Sequence, residues 1–219
     1  MDTADECRAL GVASVAVTAG YMREAPRREF YAKMDAANID LKAFTEDFYD
    51  KLTFSHLAPV LETLEYVAKQ TRVWLEVTTL LIPGHNDSER EVGQLSEWMF
   101  EHLGPDVPLH FSAFHPDFKM RDVPVTPLST LQRSRALARA AGLRFVYTGN
   151  VHDVAGDTTS CPGCHGRLIV RDWYEILEYR LTPEGKCPDC GLSLAGRFEA
   201  TSGHFGARRQ RVSFETAAH

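Results

Sequence analysis

The chain has 219 residues, 44% hydrophobic and 25% charged, with 30 acidic against 24 basic side chains and a formal net charge of −6. That is the composition of a globular protein with one sizeable core and a small appendage. It lacks the basic footprint of a nucleic-acid binder, and no apolar run approaches the ~20 residues of a membrane span.

Residues 1–10 carry Asp2, Asp5 and Glu6 in place of a secretory signal, so a reducing, cytoplasmic compartment is expected. They read as the end of a helix with Ala4, Cys7 and Leu10 on its buried side. Residues 12–17 form a short apolar strand, ended by Thr18-Ala19-Gly20, and Pro26 opens a helical stretch through Met34. Residues 37–41 are a second strand. A helix follows with Leu57, Val60, Leu61, Leu64, Val67 and Ala68 on one stripe. The longest strand covers residues 73–82 and ends at Pro83-Gly84. Asn86-Asp87-Ser88 caps the next helix, whose stripe is Val92, Leu95, Met99 and Leu103. A fourth strand covers 109–114. Thr126 as N-cap and Pro127 as first residue open a helix that Gly142 closes, and residues 143–147 are a fifth strand.

Five strands separated by helices predict an α/β fold with a parallel sheet of right-handed βα units. The short apolar strands predict burial on both sheet faces. An open doubly wound sheet and part of a barrel read alike at this level. The predicted organisation is a βα domain over residues 1–150, a polar linker over 151–160 within a cysteine module ending at 198, and a disordered tail over 199–219 that holds Arg208, Arg209 and Arg211. In the module, Leu168 and Val170, then Tyr174 and Ile176, mark two hairpin strands.

The strongest chemical signal is Cys161-Pro162-Gly163-Cys164 with Cys187-Pro188-Asp189-Cys190. Two Cys-x-x-Cys turns separated by 22 residues can offer four thiolates to one tetrahedral metal, zinc in a structural role, or iron in the same sulfur shell. A disulfide pair is the rival reading in an oxidising compartment. Chemistry in βα folds gathers where strands end. Asp40 and Lys42 lie two apart and face the same way, and His115 follows the fourth strand; together they can line a pocket for an anionic or zwitterionic ligand. Glu76 and Thr78 share one face of the third strand and Thr79 takes the other, while Asn150 and His152 follow the fifth.

The strings Ala37-Asn38-Ile39-Asp40-Leu41-Lys42, Glu76-Val77-Thr78-Thr79-Leu80-Leu81-Ile82-Pro83-Gly84-His85-Asn86-Asp87 and Phe114-His115-Pro116-Asp117 carry a resemblance. So do Phe48-Tyr49, residues 59–64 and 104–108, Gly149-Asn150-Val151 and the terminal Cys-Pro-x-Cys pairs. Over residues 1–195 the chain resembles radical S-adenosylmethionine (SAM) enzymes related to pyruvate formate-lyase activating enzyme, and more narrowly the AmmeMemoRadiSam system radical SAM enzyme. The resemblance implies the later strands of a partial β/α barrel, followed by a zinc-ribbon-like module. It implies a 4Fe–4S cluster held by Cys-x3-Cys-x2-Cys, reductive SAM cleavage, and SAM held at positions matched here by Thr18, Asp40, Lys42 and His115.

The departures are specific. No Cys-x3-Cys-x2-Cys occurs among the five cysteines, the usual Thr-Asn-Gly is here Thr18-Ala19-Gly20, and the glycine-rich acidic segment is missing. The expectation is therefore the C-terminal part of such an enzyme, inactive alone, with exposed apolar surface beside residues 12–17. Its expected partner is a protein substrate or the missing N-terminal half. The alternatives are a non-catalytic zinc-binding interaction protein on a remnant barrel, and an unrelated α/β enzyme using Glu76, Asp40 and His115 as acid and base.

Overall fold

The computed structural model describes residues 2–198; the expected tail, with Arg208, Arg209 and Arg211, lies outside them. The chain forms two compact units, the first ending at Asp157 and the second beginning at Thr158.

The first unit runs α1 (Asp2–Ala9), β1 (Val15–Thr18), α2 (Glu24–Tyr31), β2 (Ala36–Asp40) and a helical turn α3 (Glu46–Phe48) that continues as a π-helical stretch, Tyr49–Thr53. Then follow α4 (Leu57–Gln70), β3 (Trp74–Leu81), α5 (Glu89–His102), β4 (Leu109–Ala113), α6 (Leu128–Ala140), β5 (Val146–Gly149) and a short α7 (Val154–Asp157). All five strands are parallel and their order in the sheet is β1-β2-β3-β4-β5. A doubly wound sheet reverses direction at a switch point and carries helices on both faces. Here each crossover advances the same way, so right-handed crossovers place the helices on one face. The unit is thus an α/β wall of the partial-barrel kind.

One expectation is corrected by this topology. Among the described residues, helices cover the strands on a single face, not both. Along β2 and β3 burial alternates: Ala37, Ile39, Leu75, Val77, Thr79 and Leu81 are buried, whereas Asn38, Asp40, Trp74, Glu76, Thr78 and Leu80 are half-buried or exposed. The sequence hides this alternation because Val15, Val17, Trp74 and Leu80 put apolar groups on the uncovered face. On the covered face, Val60, Leu64 and Val67 of α4, Val92, Leu95 and Met99 of α5, and Leu131 and Ala138 of α6 pack the core. Each large aliphatic side chain buried there is worth about 1.5–3 kcal/mol.

Strand β1 pairs only with β2 among the described residues, and Val15 and Val17 are 62% and 81% exposed. The apolar surface expected beside residues 12–17 is present. Gly20 turns the chain at the end of β1 with φ of +67°, and a Cβ there would stand 2.7 Å from Ile39 Cγ2, so only glycine fits. Gly142, with φ of +107°, closes α6 as its spacing predicts. Leu10 is exposed rather than on the buried side of α1; Ala4 is the buried residue of that helix. The last strand of this unit starts at Val146, later than expected; Leu143 and Phe145 are buried ahead of it, with Arg144 exposed between them. The stretch read as a linker instead holds α7 and the first strand of the second unit.

In the second unit β6 (Thr159–Ser160), β7 (Arg167–Asp172) and β8 (Glu175–Tyr179) form an antiparallel sheet in that order. Asp172 pairs with Glu175, so Trp173 and Tyr174 make the two-residue hairpin turn, Trp173 with φ of +54°. Tyr174 is therefore a turn residue rather than a strand residue.

Candidate functional site

Of the polar side chains singled out at strand ends, the face of the five-stranded sheet away from the helices gathers Asp40, Glu76 and Thr78. Register carries Asp40, Thr78, His110 and Tyr147 across β2, β3, β4 and β5 in one row. Lateral neighbours in a parallel sheet point the same way, so this row faces the open side. Asp40 Oδ2 and Lys42 Nζ lie 2.9 Å apart, with both side chains more than a third exposed. They form a mixed-charge pair that a zwitterionic ligand can enter.

Several buried polar side chains hold this end of the sheet in shape. Asn86 Nδ2 donates to the carbonyls of Lys42 at 2.6 Å and Leu80 at 2.9 Å, and its Oδ1 accepts from the Ile82 N–H at 2.6 Å. The Tyr49 hydroxyl accepts from the Lys42 N–H at 3.1 Å. Burial pushes the Tyr49 phenol up to about 12, so it stays neutral. Thr79 Oγ1 donates to Leu41 O at 2.8 Å. Thr126 was expected to cap α6. Instead its hydroxyl donates to Leu81 O and accepts from the Phe114 N–H at 2.9 Å, while Pro127 occupies the N-cap position. Ser88, as expected, caps α5, accepting from the Glu91 N–H at 3.3 Å. The Glu91 carboxylate accepts from the Phe44 N–H at 2.8 Å, and its burial raises its pKa.

The other two expected ligand-holding residues are placed differently. Thr18 stands in register with Ile39, on the helix-covered side, and its Oγ1 accepts from the Gly20 N–H at 3.2 Å. His115 is exposed and makes no hydrogen bond or ion pair among the described residues. The structure pairs Asp40 with Lys42, and among the described residues neither Thr18 nor His115 makes a hydrogen bond or ion pair with either. His110, Trp74 and Tyr147 on the open face escaped sequence reading. The alternation Leu109-His110-Phe111-Ser112-Ala113 was the available signal, a strand polar on one side only.

In the second unit the four cysteines of the two pairs converge, with their Sγ atoms all within 4.8 Å of one another. Cys161 to Cys190 and Cys164 to Cys187 are each 3.6 Å. A tetrahedron with metal–sulfur bonds of about 2.3 Å has edges of roughly 3.8 Å, so the donor set fits zinc or iron. The two knuckles repeat one backbone pattern. Cys161 N–H donates to Gly166 O and Cys187 N–H to Leu192 O, both at 2.8 Å; His165 N–H returns to Cys161 O and Gly191 N–H to Cys187 O, both at 2.9 Å. His165 and Gly191, at matching positions, both have positive φ. Burial pushes the Cys161 thiol up, but the N–H groups of Cys164 and Gly163 outweigh it and bring it down to about 7. At Cys190 the Leu192 N–H pulls down, but the neighbouring thiols outweigh it and raise it to about 12, and Cys164 is raised as well. Arg180 braces the second knuckle through Asp189 at 2.6 Å.

Among the described residues no helix is long and apolar enough to cross a membrane. No protein-family model matches the chain. An uncharacterized protein of Methanocaldococcus jannaschii is 41% identical over 194 residues, which cover 88% of this chain and 57% of that protein. The chain therefore spans little more than half the length of that relative. Among solved structures, a domain of pyruvate-formate lyase-activating enzyme from Bacteroides vulgatus superposes with a TM-score of 0.60 at 17% identity, covering 68% of this chain and 88% of that one. A radical SAM methyltransferase from Sphaerobacter thermophilus does so with a TM-score of 0.52 at 14% identity, covering 64% and 41%. Over about two thirds of its length the chain thus shares a fold with these two proteins.

Proposed function

We propose that this chain is part of a radical SAM enzyme related to pyruvate formate-lyase activating enzyme, of the AmmeMemoRadiSam kind, and that its open sheet face holds SAM. The observation that carries this reading is the Asp40–Lys42 pair at the carboxyl end of β2, 2.9 Å apart and open to a ligand, in a sheet of that fold. Asp40 would take the ligand's ammonium and Lys42 its carboxylate. Thr18 at the end of β1 and His115 after β4 are the further residues that the family resemblance would enlist.

A radical-generating 4Fe–4S cluster does not fit the residues of this chain. Four of the five cysteines form one compact set, and the fifth, Cys7, lies on α1. No three-thiolate set remains, so no cluster step is assigned to this chain. Another polypeptide segment would supply those thiolates, and the edge of β1 that is unpaired among the described residues suits further strands. The four-cysteine set would take one zinc, or iron, in a closed structural site. A compartment that keeps these thiols reduced, such as the cytoplasm, suits it.

The second reading, a zinc-binding interaction protein on a remnant barrel, draws on one observation: the four-thiol set is complete while the cluster set is absent. One experiment separates the two. After reconstitution with iron, sulfide and dithionite, the chain alone is expected to release no 5'-deoxyadenosine from SAM, yet to bind S-adenosylhomocysteine in a manner weakened at least tenfold by Asp40→Asn. Absence of any S-adenosylhomocysteine binding would leave the zinc-binding reading.

A further inference from the structure

The open face carries a second polar cluster, separate from the Asp40–Lys42 pair. Glu76 accepts from the Trp74 indole N–H at 3.1 Å through Oε1 and lies 2.8 Å from His110 Nε2 through Oε2. An ionised carboxylate can only accept, so Nε2 of His110 carries the proton of that bond. In the neutral ring the lone pair then sits on Nδ1, which makes no hydrogen bond among the described residues. The His110 ring stacks on Tyr147, centroids 5.2 Å apart and planes at 28°. Its side chain is 30% exposed. A solvated surface histidine needs none of this. Here one ring is fixed in tautomer by a carboxylate, the carboxylate is fixed by an indole, and the ring plane is fixed by a phenol. Two strand spacings, roughly 10 Å, separate His110 from Asp40 along the same cross-strand row.

We propose that His110 Nδ1 is the proton acceptor of a substrate subsite on the open sheet face, with Glu76 as its orienting partner, for an organic substrate bearing an ionisable O–H group. This deepens the radical SAM reading, and rests on it for the word substrate. The step is a proton transfer: the substrate O–H bond breaks, its electron pair stays on oxygen, and the proton forms an N–H bond at Nδ1. The imidazolium is compensated by Glu76 and returns the proton to water when the site empties. Among the described residues, the titratable groups facing this ring from its neighbours are Glu76 on β3 and Tyr147 on β5, with Asp40 further along the row.

The probe for this subsite is 4-nitrophenol, whose ionised form is yellow, compared with 4-nitroanisole, which has no proton to give. On the intact chain at slightly acid pH, 4-nitrophenol is expected to bind as the yellow phenolate, at least tenfold more tightly than 4-nitroanisole. His110→Gln, shown folded by circular dichroism, should abolish the colour change. Glu76→Gln should keep binding within a few-fold but lower the ionised fraction of the bound probe, a split that a purely structural role would not produce. Equal binding of the two probes, or a colour change that survives in His110→Gln, would overturn the proposal. Titration with S-adenosylhomocysteine, read at Asp40 and Lys42, tests the underlying SAM reading separately, so the two can fail independently.

Discussion

Asn86 lies 44 residues from Lys42 in sequence, yet its side-chain amide donates to the Lys42 carbonyl at 2.6 Å, pinning the end of β2 to the turn after β3. With Leu80 O and the Ile82 N–H also satisfied by the same buried amide, one side chain closes three backbone groups at the carboxyl edge of the sheet. Asn86→Ala should therefore cost about 3 kcal/mol in urea unfolding, near 1 kcal/mol per lost bond. It should also weaken ligand binding at Lys42 well beyond the effect of a surface substitution. Asn86→Asp should be no milder, because a carboxylate would face two carbonyl oxygens.

Thr126 makes a second such link, between Leu81 O and the Phe114 N–H. Thr126→Val keeps the shape but strands both backbone groups, and a loss of about 2–3 kcal/mol is expected. Thr126→Ser should recover most of it. Equal stability of the Val and Ser variants would show that shape alone matters there.

How far the sequence carried is visible in these two residues. Ser88, Gly142 and the apolar stripes of α4 and α5 act locally, and their roles were legible from spacing. Thr126 has the same local signature as Ser88, but a long-range contact to Leu81 takes its hydroxyl, which no local pattern reveals. The two cysteine pairs were legible because their chemistry is stated within four residues each. The one-sided sheet was not, because Val15, Val17, Trp74 and Leu80 on the open face mimic a buried strand. Thr18 and His115 were placed by motif likeness, and the register of β1 with β2 puts Thr18 on the other side.

Burial raises both the Tyr31 and Tyr49 phenols to about 12 from an ordinary value near 10. Between those values the unfolded chain has lost protons that the folded chain keeps. Stability is therefore expected to be unaffected by these groups below pH ~10 and to fall as pH rises from about 10 to 12, by up to roughly 3 kcal/mol for each tyrosine. Urea unfolding across that range checks the sign. Tyr31→Phe and Tyr49→Phe should each flatten the slope, and a slope unchanged in both would contradict the assignment.

Removal of a metal held by the four thiolates should act on the second unit. Thiolate–metal bonds contribute directly to folding in small modules. Chelation is expected to collapse amide protection across residues 159–194. Cys161→Ser and Cys187→Ser, both at buried ligands, should each bring metal content close to zero. Retention of stoichiometric metal in either variant would contradict a four-thiolate site.

The most direct test of the central claim, that the uncovered sheet face is the ligand face, is a nuclear magnetic resonance titration of the isotope-labelled chain with S-adenosylhomocysteine. Shifts are expected to concentrate at Asp40, Lys42 and Thr78 and to be abolished by Asp40→Asn. Shifts centred on the helix-covered face or on residues 158–198, or none at millimolar ligand, would contradict it.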